Sequence, residues 1–158
     1  MSLRIVEYRD ELAPLFYAIN AQWIERMFTL EQTDIDVLES PRARIIEPGG
    51  AILFVEAEGL GIVGTCALQK TGPDQYELTK MGVLESARGL KAGEFLLQAM
   101  IARARELQAK RLYLLTHHDC QAAIHLYEKN GFVHDAAIRQ EFGGRYARCT
   151  VAMLCPQP

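Results

Sequence analysis

An α+β fold, with a mixed and mainly antiparallel sheet and helices on both faces, is what three features of this chain predict. Helical periodicity runs from Asp10 to Met27. Three consecutive segments rich in β-branched and aromatic residues follow from Ala51. A single strand–helix–strand unit, up to Val83 and on to Leu115, has the length of a parallel crossover. The 158 residues, 49% apolar and 23% charged, suit one domain spanning residues 1–158, because two halves would each be marginal.

Between Asp10 and Met27, Leu12, Leu15, Phe16, Ile19, Trp23 and Met27 recur every three or four positions, the stripe of an amphipathic helix. A second, shorter helix is expected around Asp34–Glu39, with Thr33 as its cap and Pro41 ending it. "AILFVEA", "IVGTCALQK" and "QYELTKMGV", separated by "EGLG" and "TGPD", read as three sequential antiparallel strands. "GEFLLQAMIARAREL" carries one apolar stripe and forms a helix. "RLYLL" then has the continuous apolar character of a strand buried on both faces, parallel to the strand ending at Val83. "DCQAAIHLYEKNGF" predicts a helix stopped at Gly131 by a Schellman turn, with Phe132 folded back. The chain is expected to end as a hairpin, "FVHDAAIRQEF" and "RYARCTVAML", turning at Gly143 and Gly144. The opening "MSL" is assigned no structural meaning.

A net charge of -3 provides no broad basic face, so nucleic acid is not an expected partner. The longest apolar run, "AILFV", is far short of the roughly 20 residues that span a bilayer, and no membrane partner is expected. Cys66, Cys120, Cys149 and Cys155 form no CxxC pair, which favours free thiols and a cytoplasmic location.

The stretch "VLESARGLKAGEFLLQAM" raises the first functional question. Two basic residues, Arg88 and Lys91, and two glycines, Gly89 and Gly93, stand where a helix normally wants a carboxylate cap. A helix start offers unpaired N–H groups and partial positive charge, so this composition suits a bound phosphate. It equally suits a plain strand-to-helix turn with solvated basic side chains.

The residues around it resemble the GNAT superfamily of acyl-CoA-dependent N-acetyltransferases, over most of Gly50–Phe132. The family's pyrophosphate loop, Gln or Arg, two residues, Gly, one residue, then Gly or Ala, is similar to Arg88-Gly89-Leu90-Lys91-Ala92-Gly93, with Lys91 replacing the first glycine. A lysine disfavours positive φ, so a helical backbone is expected at Lys91. "AIHLYEKNGF", Ala123–Phe132, is the more specific match. The family often carries Asn where this chain has Cys120, a position implied to touch pantetheine. The resemblance further implies acetyl-CoA as co-substrate, main-chain contacts to its arm from Met81 and Val83, a GNAT-type sheet whose one parallel pair is splayed to hold the cofactor, and a bulge at Gly82 that helps part the strands. A glycine there also fits a simpler role, making room for a neighbouring side chain.

The expected reaction is direct attack by an amine on the thioester in a ternary complex. An amine of lysine-like pKa costs roughly 4 to 5 kcal/mol to deprotonate at neutral pH, so a base is useful. Glu77, on the face of Thr79 and Met81, is the candidate, against a role as an ordinary solvated strand residue. Tyr127, inside the matching signature, is the candidate acid for the departing thiolate, against simple packing beside Ala123 and Leu126. Trp23, Phe28 and Glu31 lie on segments that wall the acceptor pocket in this fold, and the acids near them would suit a cationic amine. The acceptor, a small molecule or a protein amine, is unspecified, and a homodimer is possible with no residue selecting an interface. No metal is expected: "HHDC" holds ligand types, but adjacent residues on an extended chain point opposite ways. Two other classes compete, a non-catalytic acyl-CoA-binding regulatory module and a hydrolase using Cys120 with His117 or His125.

Overall fold

The computed structural model describes residues 2–158. Strand β1 (Leu3–Glu7) leads through a 3-10 turn into helix α1 (Ala13–Met27), then α2 (Gln32–Glu39) and one π-helical turn, Arg42–Ile46. Strands β2 (Ala51–Ala57), β3 (Gly61–Gly72) and β4 (Gln75–Val83) follow as an antiparallel meander. Helix α3 (Ala92–Glu106) crosses over to β5 (Arg111–Thr116), and α4 (Gln121–Lys129), β6 (Val133–His134), α5 (Ala136–Phe142) and β7 (Val151–Cys155) complete the chain. The seven strands lie in the order β1-β2-β3-β4-β5-β7-β6, and β4 with β5 is the one parallel pair among them.

Strand alternation sorts β2 onto two cores. Leu53 and Val55 face α3, with Leu96, Leu97 and Met100, whereas Ile52 and Phe54 face α1 and α2, with Phe16, Ile24 and Leu38. Each such side chain taken fully out of water contributes about 2 kcal/mol, so neither helical layer can be removed without loss of the sheet. Helix α4 ends as expected: Phe132 N–H donates to the Tyr127 carbonyl at 3.0 Å and Gly131 N–H to that of Glu128 at 3.2 Å, with Gly131 at φ +99.

Three expectations fail. The N-terminus is structural: β1 pairs with β2 along its whole length, and Arg4 meets Glu56 at 2.6 Å across the rung. A five-residue, half-exposed edge strand has too little alternation to stand out beside the helix that follows. The cap of α2 is Glu31 rather than Thr33, through a capping box in which the Glu31 N–H donates to Asp34 at 2.9 Å. The terminal hairpin is reduced to two rungs, Val133 with Leu154 and His134 with Met153. Asp135 accepts from the Ile138 N–H at 2.9 Å and starts α5, which buries Ile138 against Tyr113 and Ala152. Helix-favouring "AAIRQEF" thereby overrides an alternation too irregular for a strand.

Gly82 is explained by its neighbour. A Cβ there would lie 2.6 Å from Trp23 Cδ1 and 2.9 Å from its Nε1. The indole is fixed by its own bond to Asn20 Oδ1 at 2.9 Å and cannot easily retreat. The bulge lies two residues earlier, where Lys80 and Met81 together oppose Cys66. No helix among the described residues is long and apolar enough to cross a membrane.

Overpacking of this kind costs about 1 to 3 kcal/mol. Gly82→Ala is therefore expected to lower the unfolding free energy measured in urea by that amount, and an unchanged value would show that Trp23 does not hold its place against β4.

Candidate active site

The site begins with an interruption of pairing. β4 and β5 are in register from Gln75 with Arg111 to Leu78 with Leu114, and no further. Beyond Leu78 the bulge turns β4 away, with Lys80 in the left-handed region at φ +54, a conformation that costs a non-glycine residue about 1 kcal/mol. The strands part into a cleft of about 290 Å³ whose lining includes Trp23, Phe28, Thr79, Lys80, Met81, His117, Cys120, Tyr127, Tyr146 and Arg148. On the side facing β5, the main chain of β4 at Met81 and Val83 has no strand partner, which leaves peptide groups for an extended ligand.

A second, more open hollow lies at the start of α3. Its lining includes Val83, Arg88, Gly89, Lys91, Ala92, Gly93, His125 and Lys129, and it shares Ala122 with the cleft. No side chain caps α3. Lys91 takes the N-cap position at φ +60, ψ +26, contrary to the helical backbone expected for a lysine, and Gly89 precedes it at φ +88. Two left-handed residues around Leu90 turn the chain so that successive amides can face one point, the arrangement of an anion-binding nest. Not all amides of the stretch are free. Arg88 N–H donates to Glu85 and Leu90 N–H to Ala87, at 3.0 and 3.1 Å, which leaves those of Gly89, Lys91, Ala92 and Gly93. Glu94, the one acid in the first turn, is drawn sideways to Lys129 Nζ at 3.1 Å and Asn130 Nδ2 at 3.2 Å. Its charge is spent there rather than on the turn.

Tyr127 lines the cleft, its hydroxyl 3.9 Å from Met81 Sδ and its ring against Phe132. Burial pushes its phenol well above the ordinary value, so it stays protonated throughout the working pH range. Cys120 is the N-cap residue of α4 and lines the cleft beside it.

The opposite wall is a network of buried charge that the sequence did not reveal. Asp34, 0% exposed, accepts from Arg148 Nη1 and Nη2 at 2.8 and 2.7 Å, from Lys80 at 3.0 Å and from the Glu31 N–H. Burial alone, the largest influence, would raise the Asp34 pKa, but the Arg148 hydrogen bonds, the Lys80 charge and the Glu31 amide outweigh it and hold it at about 2. Glu31 also accepts from Arg148, at 3.1 Å. Of the three acids expected to suit a cationic amine, Glu25, Glu31 and Asp34, the last two are thus committed to the protein's own cations, and none of the three is part of the cleft lining. Trp23 and Phe28 do line it.

Glu77 lies beneath this wall. It is 1% exposed, is paired with Arg145 Nη1 and does not line the cleft. Burial raises its pKa, partly offset by the Arg145 and Lys80 charges and a Thr79 hydrogen bond. His117, His118 and Asp119 converge instead of pointing apart: the two rings lie 4.0 Å apart, and one ligand atom from each of the three falls within 4.8 Å of the others, because the chain turns after Thr116. Lys80, Tyr146 and Arg148 were missed by sequence reading, since a buried lysine in a strand and "RYAR" in a loop carry no periodic signal.

A parallel pair that parts after Leu78 and an uncapped helix start beside it together leave main-chain groups without protein partners, the features that define this class of α+β sheet. Solved structures share this fold. A GNAT-family acetyltransferase from Staphylococcus aureus superposes with a TM-score of 0.85 at 22% identity, covering 97% of this chain and 98% of that one. PaiA N-acetyltransferase from Thermoplasma acidophilum, crystallised with coenzyme A, gives 0.72 at 16% identity over 98% of both chains. The model of the acetyltransferase (GNAT) family matches residues 8–132, and the chain belongs to that family. A curated relative, the uncharacterized N-acetyltransferase YjgM of Escherichia coli, is 39% identical over 90 residues, 56% of this chain. The match spans about half, 54%, of that relative's length.

Two outcomes follow. The depressed Asp34 pKa gives stability that is complete above the unfolded value near 3.8 and is lost as pH falls toward 2, roughly 2 kcal/mol in all. The unfolding free-energy difference between wild type and Asp34→Asn should shrink by that amount between pH 5 and pH 2. A constant difference would mean the network does not hold Asp34 ionised. At the α3 cap, Lys91→Gly should be more stable to urea than Lys91→Ala by about 0.5 to 1 kcal/mol, the reverse of the usual order, because glycine alone adopts φ +60 freely.

Proposed function

We propose that this protein transfers the acetyl group of acetyl-CoA to a primary amine by direct attack within a ternary complex. The observation that carries the reading is the adjacency of three parts. An uncapped turn at Gly89–Gly93, unpaired main chain at Met81 and Val83, and a protonated Tyr127 are distributed over two adjoining hollows that share Ala122. The pyrophosphate is held by the amides of Gly89, Lys91, Ala92 and Gly93, with Arg88 and Lys91 adding charge and Leu90 and Ala87 shaping the turn. The pantetheine arm extends β4 toward β5 and passes Cys120. The acetyl carbonyl is polarised by a main-chain N–H near Met81.

Attack forms the C–N bond and breaks the C–S bond. The departing sulfur takes a proton from Tyr127, which recovers one from solvent, and the amine loses its protons to water in the open cleft. Glu77 does not reach the acceptor directly in this reading. It is a positioning residue, holding Arg145 behind the wall.

Tyr127→Phe is expected to lower kcat by about 100-fold or more while leaving the coenzyme A Kd within about threefold. Retained kcat would remove Tyr127 from the chemistry. With water as the base, kcat/KM in both wild type and Glu77→Gln should rise with pH toward the amine's own pKa. A plateau from a lower-lying group, abolished in Glu77→Gln, would restore Glu77 as the base. Coenzyme A binding with every amine inert would favour a regulatory module instead.

A further inference from the structure

The polar groups on the wall away from α3 share one property. Lys80 and Arg148 have no acceptor atoms. Of the five N–H groups of Arg148, Nη1 gives two, to Glu31 and Asp34, and Nη2 gives one, to Asp34. The edge made by Nε–H and the second Nη2–H is unspent, and that edge is a ready fork for a planar oxyanion. Lys80 donates to Asp34 at 3.0 Å and to Tyr146 Oη at 3.2 Å, leaving one of its three N–H groups. Because the Tyr146 oxygen accepts from Lys80, its own proton is available to donate. His117 Nδ1 accepts from the Asp119 main-chain N–H at 3.0 Å, so the neutral ring carries its proton on Nε2. All four side chains line the cleft.

The acids that balance these cations are behind them, out of the lining. Asp119 is the single carboxylate among the described lining residues; it is 65% exposed and sits between His117 and His118 at 3.5 Å from each. A second ammonium group therefore finds no buried partner in the cleft, whereas a carboxylate finds a fork, an ammonium N–H, a phenol and an imidazole N–H. Trp23 and Phe28 supply an apolar surface beside them.

We propose that the acceptor is a small amino acid-like molecule, an amine bearing a carboxylate, with the carboxylate held by Arg148, Lys80, Tyr146 and His117. The assignment rests on the acyl-transfer reading for the amine, but the oxyanion preference is measurable without turnover.

Matched acceptors decide it: phenylalanine against phenethylamine and phenylalaninamide, lysine against cadaverine, and alanine against ethylamine. Each is assayed by thiol release from acetyl-CoA and by calorimetric binding to the coenzyme A-loaded protein. At least one carboxylate-bearing member should exceed its partner by about tenfold or more in kcat/KM and in affinity, equivalent to about 1.4 kcal/mol. Tyr146→Phe should reduce that preference several-fold while leaving coenzyme A affinity unchanged. Equal or better performance by the decarboxylated and amide members in every set, or no binding of any carboxylate at millimolar concentration, overturns the proposal. If no amine is acetylated but the carboxylate preference in binding persists, the acyl-transfer reading falls and the oxyanion site stands.

Discussion

The buried ion pair between Lys80 and Asp34 is the contact on which the site depends. β4 could continue alongside β5 past Leu78 if Lys80 kept an extended backbone. Instead it occupies the left-handed region, and the bulge it forms turns the strand away from its partner. That conformation is unfavourable in itself and persists because the ammonium is held at 3.0 Å from a fully buried carboxylate. Removing one member of such a pair leaves an uncompensated buried charge, typically a loss of 3 to 5 kcal/mol. The same carboxylate binds Arg148, so the geometry of strand separation and the chemistry of the cleft wall are set by one group.

The other end of the groove works by omission. An α-helix of four turns normally satisfies its first amides with a side-chain cap, and α3 has none. Glu94 is held against α4 by Lys129 and Asn130, and the left-handed pair Gly89 and Lys91 bends the turn so that the spare amides stay exposed. Stability is given up locally at the turn to which the proposed function assigns the pyrophosphate.

Much of this was legible in the sequence. The meander, the crossover and the Schellman end of α4 follow from periodicity and turn residues, and the missing cap of α3 is visible in "ARGLKAGE" itself. What escaped was decided by tertiary contacts. The left-handed state of Lys91 contradicts its own propensity and is imposed by the turn. The role of Gly82 depends on Trp23, which is 59 positions away in the chain and pressed against it in the fold. The partners of Asp34 come from β4 and from the loop before β7, whose "RYAR" resembles a strand only until Asp135 is seen to cap a helix.

The most direct examination of the account is an amide-resolved NMR titration with coenzyme A. The account predicts the largest shifts at Gly89, Lys91, Ala92 and Gly93 and at Met81 and Val83, with smaller ones at Arg88 and Leu90, whose N–H groups are already bonded within the turn. Saturation with those six amides unmoved, or shifts confined to another face of the sheet, would contradict it.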